Sequence, residues 1–114
     1  MFLSLSLELL GFTVYVVHHR GSRTLDFEWD PKKADRNRRK HGVEFLDAVA
    51  IFDDDRAITL IDEHPEEERY VSFGADAYGR VLAICYQLRG DSVRIISARK
   101  ATPRERAQYE DKRI

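Results

Sequence analysis

The residues best suited to chemistry in this sequence are basic, and they recur where strands are predicted to begin or end. Arg69 and Arg80 each open a predicted strand, and Arg99 and Lys100 close the last one. Antiparallel pairing places the start of one strand beside the end of its neighbour, so we expect these cations to converge. The planar guanidinium fork of arginine suits a phosphate, and cations stabilise the charge that builds when a phosphodiester is cleaved. The pattern therefore predicts a phosphate-binding wall.

Phosphodiester cleavage also needs groups that move protons. His41 follows a basic stretch beside Gly42, and histidine exchanges protons near neutral pH. An imidazole that caps the helix end or packs on Phe45 explains His41 about as well. Glu68 is a second candidate base next to Arg69, although a solvated place in the acidic loop explains it more simply.

The composition is that of one ordinary globular domain. The chain has 114 residues and a net charge of −1, so the whole molecule is not an obvious polyanion binder. A single cysteine, Cys85, cannot form an internal disulfide, which fits a reducing compartment such as the cytoplasm. It also excludes a cysteine-based zinc site, and the run "FDDD" lacks the ligand spacing of an EF-hand loop. No metal or cofactor is predicted.

Charge is unevenly distributed along the chain. Residues 26–42 carry six Lys and Arg against four acids, residues 43–68 carry ten acids against one Arg, and residues 69–114 carry ten Lys and Arg against five acids. A basic C-terminal part beside an acidic middle suggests one surface for a polyanion and another for a basic partner. For any single charge, an ordinary solvated surface remains the simpler explanation.

Residues 1–25 differ from the rest. The run "MFLSLSLELLGFTVYVV" is interrupted by Glu8 and has no preceding Lys or Arg, unlike a secretory signal. It also falls short of the roughly 20 apolar residues of a membrane span. The alternation of its residues suits a strand. We expect residues 1–25 to be either a packed extra strand or a poorly ordered extension of a domain that occupies residues 26–114.

The sequence of residues 26–114 contains clear signals for the ends of helices. Asp30 and Pro31 begin the first, as cap and first helical residue, and Gly42 stops it. The stretch "VEFLDAVAIFDD" predicts a short amphipathic helix whose Phe45, Val49 and Phe52 face the core. A final helix begins at "ATPRER", where Thr102 and Glu105 form a capping box.

Five strands complete the pattern. They are predicted at "DFEWD", "AITLI", "RYVSFGA", "RVLAICYQL" and "SVRIIS". Short connections between the last four indicate antiparallel neighbours. The order is strand, two helices, four strands and a helix, which predicts an α+β domain with an antiparallel sheet and the helices packed on one of its faces.

These blocks resemble the BrnT family. The resemblance rests on "FEWDPKKADRNRRKHGVEF", "AVAIFDD", "EERYVSFG", "GRVLAICYQLRGD" and "RIISARKATPRERAQYE", which cover residues 27–110 in the order and at the spacings of the family. It implies a RelE-like fold and a toxin of a bacterial type II toxin–antitoxin pair that cleaves RNA and arrests growth. Members usually begin close to the "FEWD" strand, so residues 1–25 are a departure that a start site placed too far upstream would explain.

The resemblance also implies a partner. The usual antitoxin is BrnA, a small protein with a ribbon-helix-helix DNA-binding domain, in a two-plus-two complex that represses its own promoter. We expect this antitoxin to cover Arg69, Arg80, Arg99, Arg106 and Tyr109, and operator DNA to be reached only through it. We further expect His41, Glu68, Arg69 and Arg99 to be catalytic, and Lys40, Arg80, Lys100 and Arg104 to bind RNA phosphates.

Two departures from the family leave a second reading open. Many relatives have a basic residue where this chain has Ala75, and Thr near Gln87. The alternative function is a catalytically degenerate corepressor that binds the antitoxin, or a small RNA-binding module. An enzyme cuts RNA in the presence of EDTA, whereas a binding module only shifts its mobility.

Overall fold

The structure is a computed structural model that describes residues 2–9, 12–18, 24–63 and 67–111. Its elements are β1 (Phe2–Leu9), β2 (Phe12–His18), β3 (Thr24–Trp29), α1 (Pro31–His41), α2 (Phe45–Ala48), a 3-10 helix (Val49–Asp53), β4 (Ile58–Glu63), β5 (Glu68–Ala75), β6 (Val81–Arg89), β7 (Ser92–Lys100) and α3 (Pro103–Asp111). None of the helices in these ranges is long and apolar enough to cross a membrane.

The strands form one sheet in the order β1-β2-β3-β7-β6-β5-β4. All neighbouring pairs are antiparallel except β3 and β7, which run parallel over three residue pairs. A parallel pair needs a long crossover, and here α1, α2 and strands β4 to β6 lie between its two strands in the chain. The predicted α+β class is confirmed, and the sheet is antiparallel as predicted except for the parallel pair, which was not anticipated.

The N-terminal residues add two strands to one edge of this sheet. β1 and β2 form a hairpin, and β2 pairs with β3 from Thr13 opposite Trp29 to His18 opposite Thr24. The sequence left one packed strand or a poorly ordered extension open, and the structure places two strands there. That residue 26 is the start of the domain stays a prediction.

The core lies on one face of the sheet, beneath α1, α2 and the 3-10 helix. Alternate residues of β6 point into it, since Leu82, Ile84 and Tyr86 are buried. The other fully buried large side chains there include Phe27 of β3 and Phe45 of α2. Apolar burial of this kind, worth about 25 cal/mol per Å² of apolar surface, holds these helices against the strands.

The second helical segment tightens after one turn. α2 ends at Ala48 and the chain continues as a 3-10 helix. Phe45 and Val49 are buried, and Phe52 packs against Phe27 and Tyr86 with ring centroids 5.1 and 5.0 Å away, as its spacing predicted. Gly74 of β5 permits the close approach of this segment, because a Cβ there would lie 2.9 Å from the Cβ of Ile51.

Asn37 fixes α1 against the edge of β7. β3 pairs with β7 only as far as Arg94, so the backbone of Ala98 lies beyond that pairing. The Asn37 side chain takes the place of a strand there: its amide donates to the Ala98 carbonyl at 2.7 Å, and its oxygen accepts from the Ala98 N–H at 3.1 Å. The predicted ends of α1 are also found, with Asp30 accepting from the Lys32 N–H and Gly42 at a φ of 70°.

α3 lies on the side of the sheet opposite the core. Ala98 belongs to the core, and Arg99, the next residue, points to the other face. It is Arg99 that holds the start of α3, through Glu105. The expectation that all helices share one face is therefore wrong for α3, because a strand that ends on an outward-facing arginine directs its capping partner to that side.

Candidate functional site

The face of the sheet away from the core is only partly covered. We call it the open face and define it by Val71 of β5, Cys85 of β6 and Ser97 of β7, which lie side by side in register. Near α3 this face is closed, since Phe73 and Ala83 are each only 3% exposed. Away from α3, the three defining residues are partly exposed, and we call them the floor of the open face.

Arg69 and Arg99 flank this floor on opposite sides. Arg99 lies opposite Ala83 of β6. Arg69 lies one residue before Tyr70, which is opposite Tyr86, so Arg69 is level with the residue after Tyr86. Cys85 lies between these two levels of β6. Four residues of strand separate the two levels, or about 13 Å. Burial raises the pKa of the Cys85 thiol, while the charges of Arg69 and Arg99 both act to lower it. Both guanidinium groups therefore act on the same patch of the open face.

Arg99 is held by a carboxylate from α3. Its two terminal nitrogens donate to the two oxygens of Glu105 at 2.6 and 3.0 Å. Glu105 also accepts from the Thr102 N–H at 2.9 Å, and its own N–H donates to the Thr102 hydroxyl, so the predicted capping box is present. Hydrogen bonding by Arg99 lowers the pKa of Glu105 to about 2, although burial opposes the shift.

Arg69 is also paired, with Glu67, which directly precedes β5. Its Nε and one terminal nitrogen both donate to Glu67 Oε1, at 3.1 and 2.8 Å. This hydrogen bonding raises the pKa of Arg69 above its ordinary value, against a smaller opposing effect of burial. The guanidinium stays charged and is held in one orientation, with donors left for a further acceptor.

A cleft of about 250 Å³ opens beside Arg69, and we call it the Gln87 cleft. It is lined by Asp30, Lys33, Glu67, Arg69, Gln87, Arg94, Ile95 and Ile96. It lies where β3 turns away from β7 into α1. Within it, Arg94 Nε lies 3.3 Å from Glu28 Oε1 of β3, in a pair whose side chains are 22% and 17% exposed.

A second cleft, of about 330 Å³, lies at the other end of β6, and we call it the Arg80 cleft. It is lined by Gly79, Arg80, Val81, Lys100, Arg106 and Glu110. The N–H of Ala101 donates to the Val81 carbonyl at 2.9 Å, so the end of β7 lies against the start of β6. In the described part of the chain, Lys100 and Arg106 form no ion pair.

Arg80 itself is tied into the turn before β6. Its Nε and a terminal nitrogen each lie 2.8 Å from Asp76 Oδ2, and the Asp76 side chain is fully buried. The other carboxylate oxygen accepts from the N–H groups of Tyr78 and Arg80. Arg80 therefore stabilises this turn while part of its guanidinium faces the cleft.

The strand-end cations thus form two groups rather than one. Arg80 meets Lys100, as antiparallel order predicted. The expected convergence of Arg69 with them is wrong, because β5 runs antiparallel to β6 and so starts where β6 ends. Arg69 shares the open face with Arg99 but lies at the opposite end of the strands from Arg80.

The two candidate proton carriers lie outside both clefts. His41 is the last residue of α1 and is partly exposed. Glu68 lies next to Arg69 on β5 and therefore points to the opposite face, where the Tyr70 hydroxyl donates to it. Tyr70 in turn stacks on Tyr86, with ring centroids 5.7 Å apart. The proton-transfer roles of His41 and Glu68 stay predictions.

The remaining predicted residues are on helices. Lys40 is exposed in the last turn of α1, and Arg104 is exposed in the first turn of α3. Tyr109 donates from its hydroxyl to Asp54 Oδ2 at 2.5 Å. Burial, and then this hydrogen bond, raise the pKa of Tyr109 to about 12.

A third cavity is lined by several carboxylates, among which Asp54 has a structural role as a hydrogen-bond acceptor. It measures about 540 Å³ and is lined in part by Asp53, Asp54, Asp55 and Asp76. Burial alone would raise the pKa of Asp54, but hydrogen bonds from the Ala75 N–H and the Tyr109 hydroxyl outweigh it, so the pKa lies below its ordinary value. Among the described residues, no three His, Cys, Asp or Glu side chains lie close enough to hold a metal ion.

Sequence reasoning missed Lys33, Gln87 and Arg94. A signal existed for Arg94, because in "SVRIIS" it alternates with the apolar Val93 and Ile95 and so had to face away from the core. No sequence signal existed for Lys33, because only the pairing of β3 with β7 brings the start of α1 to the Gln87 cleft.

Comparisons with known proteins agree with one another. Residues 29–105 match the family model described as the ribonuclease toxin BrnT of type II toxin–antitoxin systems. The structure resembles the 1.1 Å crystal structure of the Brucella abortus ribonuclease toxin BrnT, with a TM-score of 0.50 and 22% sequence identity. That match covers 65% of this chain and 92% of the Brucella chain, and it shows a common fold. A search of curated proteins found no match.

Proposed function

Because the chain belongs to the BrnT family of ribonuclease toxins of type II toxin–antitoxin systems, we propose that it cleaves RNA on its open face without a metal ion. Cleavage of RNA in the cytoplasm then arrests growth, and a BrnA-like antitoxin neutralises it. Residues 26–114 form the toxin domain in this proposal, and residues 1–25 are an extension of it.

The observation that carries the proposal is the placement of Arg69 and Arg99 around one floor. Two guanidinium groups on the same face of the sheet, oriented by Glu67 and Glu105, can stabilise the negative charge that develops on a phosphorane. Arg is the residue best suited to this because its donors match pairs of phosphate oxygens. These fixed cations supply the charge stabilisation that a metal ion supplies in other nucleases.

His41 is proposed for proton transfer ahead of Glu68; because it ends α1, which packs on the core side of the sheet, the RNA has to pass around the edge of β7 from the open face to reach it. The 2′-hydroxyl of the ribose has to lose a proton and the leaving oxygen has to gain one. Glu68 points away from Arg69 and accepts from Tyr70, which favours a structural part for it. His41 is partly exposed at the end of a helix whose last turn carries Arg38, Arg39 and Lys40, so a polyanion is attracted towards it.

Flanking phosphates of the RNA are proposed to bind the Arg80 cleft and the exposed cations near it. Lys100 and Arg106 are unpaired there within the described residues, so their donors are available to phosphate oxygens. Arg104 at the start of α3 and Lys40 at the end of α1 are exposed cations that are proposed to bind further phosphates. Such contacts fix the position of the strand without reading its sequence.

The antitoxin is proposed to cover the same cations. Arg69, Arg80, Arg99, Arg106 and Tyr109 are its expected contacts. The partner is a ribbon-helix-helix protein in a two-plus-two complex, and operator DNA is bound only through it. Finding an adjacent gene that encodes a short ribbon-helix-helix protein would support this part of the proposal.

The test is cleavage of a long single-stranded RNA by the purified chain in the presence of EDTA. We expect the wild-type chain to cut RNA and an Arg99→Ala variant to be strongly impaired, because a hydrogen bond to a charged group is worth about 1.5–3 kcal/mol. Arg89→Ala is the matched control, since Arg89 is exposed at the end of β6. A folded Arg99→Ala chain with full activity and full toxicity contradicts the assignment.

The same experiment distinguishes RNA cleavage from the alternative function. A degenerate corepressor or a small RNA-binding module shifts the mobility of RNA without producing cut fragments. The observation that favours it is Ala75, a small residue at a position where many relatives are basic.

A further inference from the structure

The Gln87 cleft differs chemically from the Arg80 cleft. Both guanidinium groups that line it already have carboxylate partners: Arg69 donates to Glu67 at 2.8 Å, and Arg94 lies 3.3 Å from Glu28. Asp30 adds a third carboxylate, and Lys33 a third cation. The cleft therefore presents donors and acceptors together, whereas the Arg80 cleft presents the unpaired cations Lys100 and Arg106.

A phosphate group fits the Gln87 cleft poorly. Its oxygens only accept hydrogen bonds, and the carboxylates of Glu67 and Asp30 repel its charge at short range. A nucleobase edge is different, because it carries donors and acceptors at fixed spacing and no net charge. Ion pairs that hold guanidinium and carboxylate groups in one orientation suit such an edge.

The side-chain amide of Gln87 adds one oxygen and one nitrogen that can form hydrogen bonds in this cleft. It is partly buried between Arg69 and Arg94 at the end of β6, where it pairs through its backbone with Arg94. Its side-chain amide has no hydrogen-bond partner in the part of the chain that the structure describes. An amide can donate and accept at once, which again matches a base rather than a phosphate.

The size and floor of the cleft also fit one base. Its volume of about 250 Å³ is below the range of about 300–1,000 Å³ typical of pockets for drug-sized ligands. The partly exposed Ile96 lines it, so one planar ring can lie against apolar surface while its edge meets the polar groups. Single-stranded RNA offers such bases unpaired and unstacked.

We propose, on the basis of the RNA-cleaving function above, that the Gln87 cleft binds one base of single-stranded RNA and selects guanine. Guanine is the base whose edge uses both partners best: O6 and N7 accept from arginine, and N1–H and the N2 amino group donate to a carboxylate. Arg69 belongs to the cleft and also flanks the open face, so the selected base lies next to the phosphate that is cut.

The experiment measures binding of short oligonucleotides that the chain cannot cleave. The probes are fluorescent 2′-O-methyl oligouridylates in which one central position is guanine, adenine, cytosine, uracil or hypoxanthine. We expect the guanine probe to bind about 10-fold more tightly than the uracil probe, the discrimination of one good bidentate contact. Hypoxanthine keeps O6, N7 and N1–H and lacks only the N2 amino group, so its probe should lose the part of this advantage that the carboxylate contact with N2 supplies.

Two variants assign the preference to the cleft. Arg94→Gln combined with Glu28→Gln replaces the ion pair by an amide pair of similar shape, which keeps the fold while it removes the guanidinium. Gln87→Leu removes the unpaired amide alone. Both should reduce the guanine preference to less than about 3-fold, while Arg89→Gln, which removes a charge outside the cleft, should leave it unchanged.

The outcomes separate this inference from the proposed function. Tight binding of all probes without a guanine preference, or a preference that survives both variants, overturns base selection and leaves RNA cleavage in place. No binding of any probe, together with no cleavage of long RNA, overturns the proposed function and the cleft with it.

Discussion

Arg99 donates two hydrogen bonds to the two oxygens of Glu105, at 2.6 and 3.0 Å. This is the same fork geometry with which arginine binds a phosphate, so Glu105 occupies the donors that the proposed reaction needs. None of the residues of α3 that the structure describes is buried. Polar contacts therefore contribute to holding the helix over the edge of the open face, among them Arg99–Glu105 and Tyr109–Asp54.

The first prediction concerns competition for Arg99. Glu105→Gln keeps the shape of the side chain and removes its charge, so the guanidinium is released to an incoming phosphate. We expect RNA to bind about 3- to 10-fold more tightly, corresponding to the 0.5–1.5 kcal/mol net worth of a hydrogen bond. Titration of labelled RNA at constant salt measures this. Asp111→Asn, which removes an exposed carboxylate of α3 outside both clefts, is the control, and equal affinities for both variants and wild type contradict the prediction.

The second prediction concerns stability in acid. The pKa of Glu105 is about 2 in the folded chain, against an ordinary value of 4.5. Because the folded-state pKa is the lower one, the stabilisation is fully present above pH 4.5 and is lost as the pH falls towards 2. Since Arg99 is partly solvated, we expect about 1 kcal/mol to be lost in this window. Urea unfolding of wild type and Glu105→Gln at several pH values measures it, and parallel curves for the two chains would refute it.

A third prediction concerns Asn37. Its side chain forms three buried hydrogen bonds, two to the backbone of Ala98 and one to the Val43 carbonyl. Asn37→Ala leaves these backbone groups without partners, so we expect a loss of about 2–3 kcal/mol in the free energy of unfolding. The exposed neighbour Arg36→Ala should change it by less than about 0.5 kcal/mol. Chemical denaturation gives both numbers, and similar values for both variants would show that water replaces the Asn37 contacts.

The fold could be predicted further than the site. Local signals held: Asp30 and Gly42 bound α1, and Thr102 with Glu105 caps α3, because caps depend on residues only a few positions apart. The placement of Asn37 could not be predicted. A polar residue on a basic helix carries no sign that it will pair with an edge 61 residues away.

The candidate site shows the same limit. The sequence placed Arg99 at a strand end but not the face to which it points, away from the buried Ala98. It also did not separate Arg69 from Arg80, which the antiparallel pairing of β5 with β6 places at opposite ends of the strands. The pairing of Arg94 with Glu28 likewise follows from the parallel contact of β3 with β7. These two strands are far apart in the chain, so no short connection in the sequence predicts that they are neighbours. Strand-end cations were therefore recognised as a class, and their grouping into two clefts was not.

The fourth prediction tests His41 as the group that moves protons. His41→Ala should slow cleavage of RNA by ~10²–10⁴-fold and leave the affinity for RNA nearly unchanged. Lys40→Ala is the neighbouring control and should weaken binding more than it slows the chemical step, since it removes a charge. Single-turnover cleavage and RNA titration separate the two effects. A lower melting temperature for His41→Ala with an unchanged cleavage rate assigns the imidazole to the helix end instead.

The last prediction concerns the antitoxin and RNA as rivals. If both use the cations of the open face and the Arg80 cleft, a complex with antitoxin should exclude RNA. RNA affinity falls steeply with salt because counterions are released, whereas a protein partner that also buries apolar surface depends on salt less. Labelled RNA bound to the Arg99→Ala chain, titrated with antitoxin at several salt concentrations, should therefore be displaced at all of them and most easily at high salt. A stable complex of RNA, toxin and antitoxin would place the antitoxin elsewhere, and the exposed edge of β4 with Leu60 and Ile61 would then be the surface to examine.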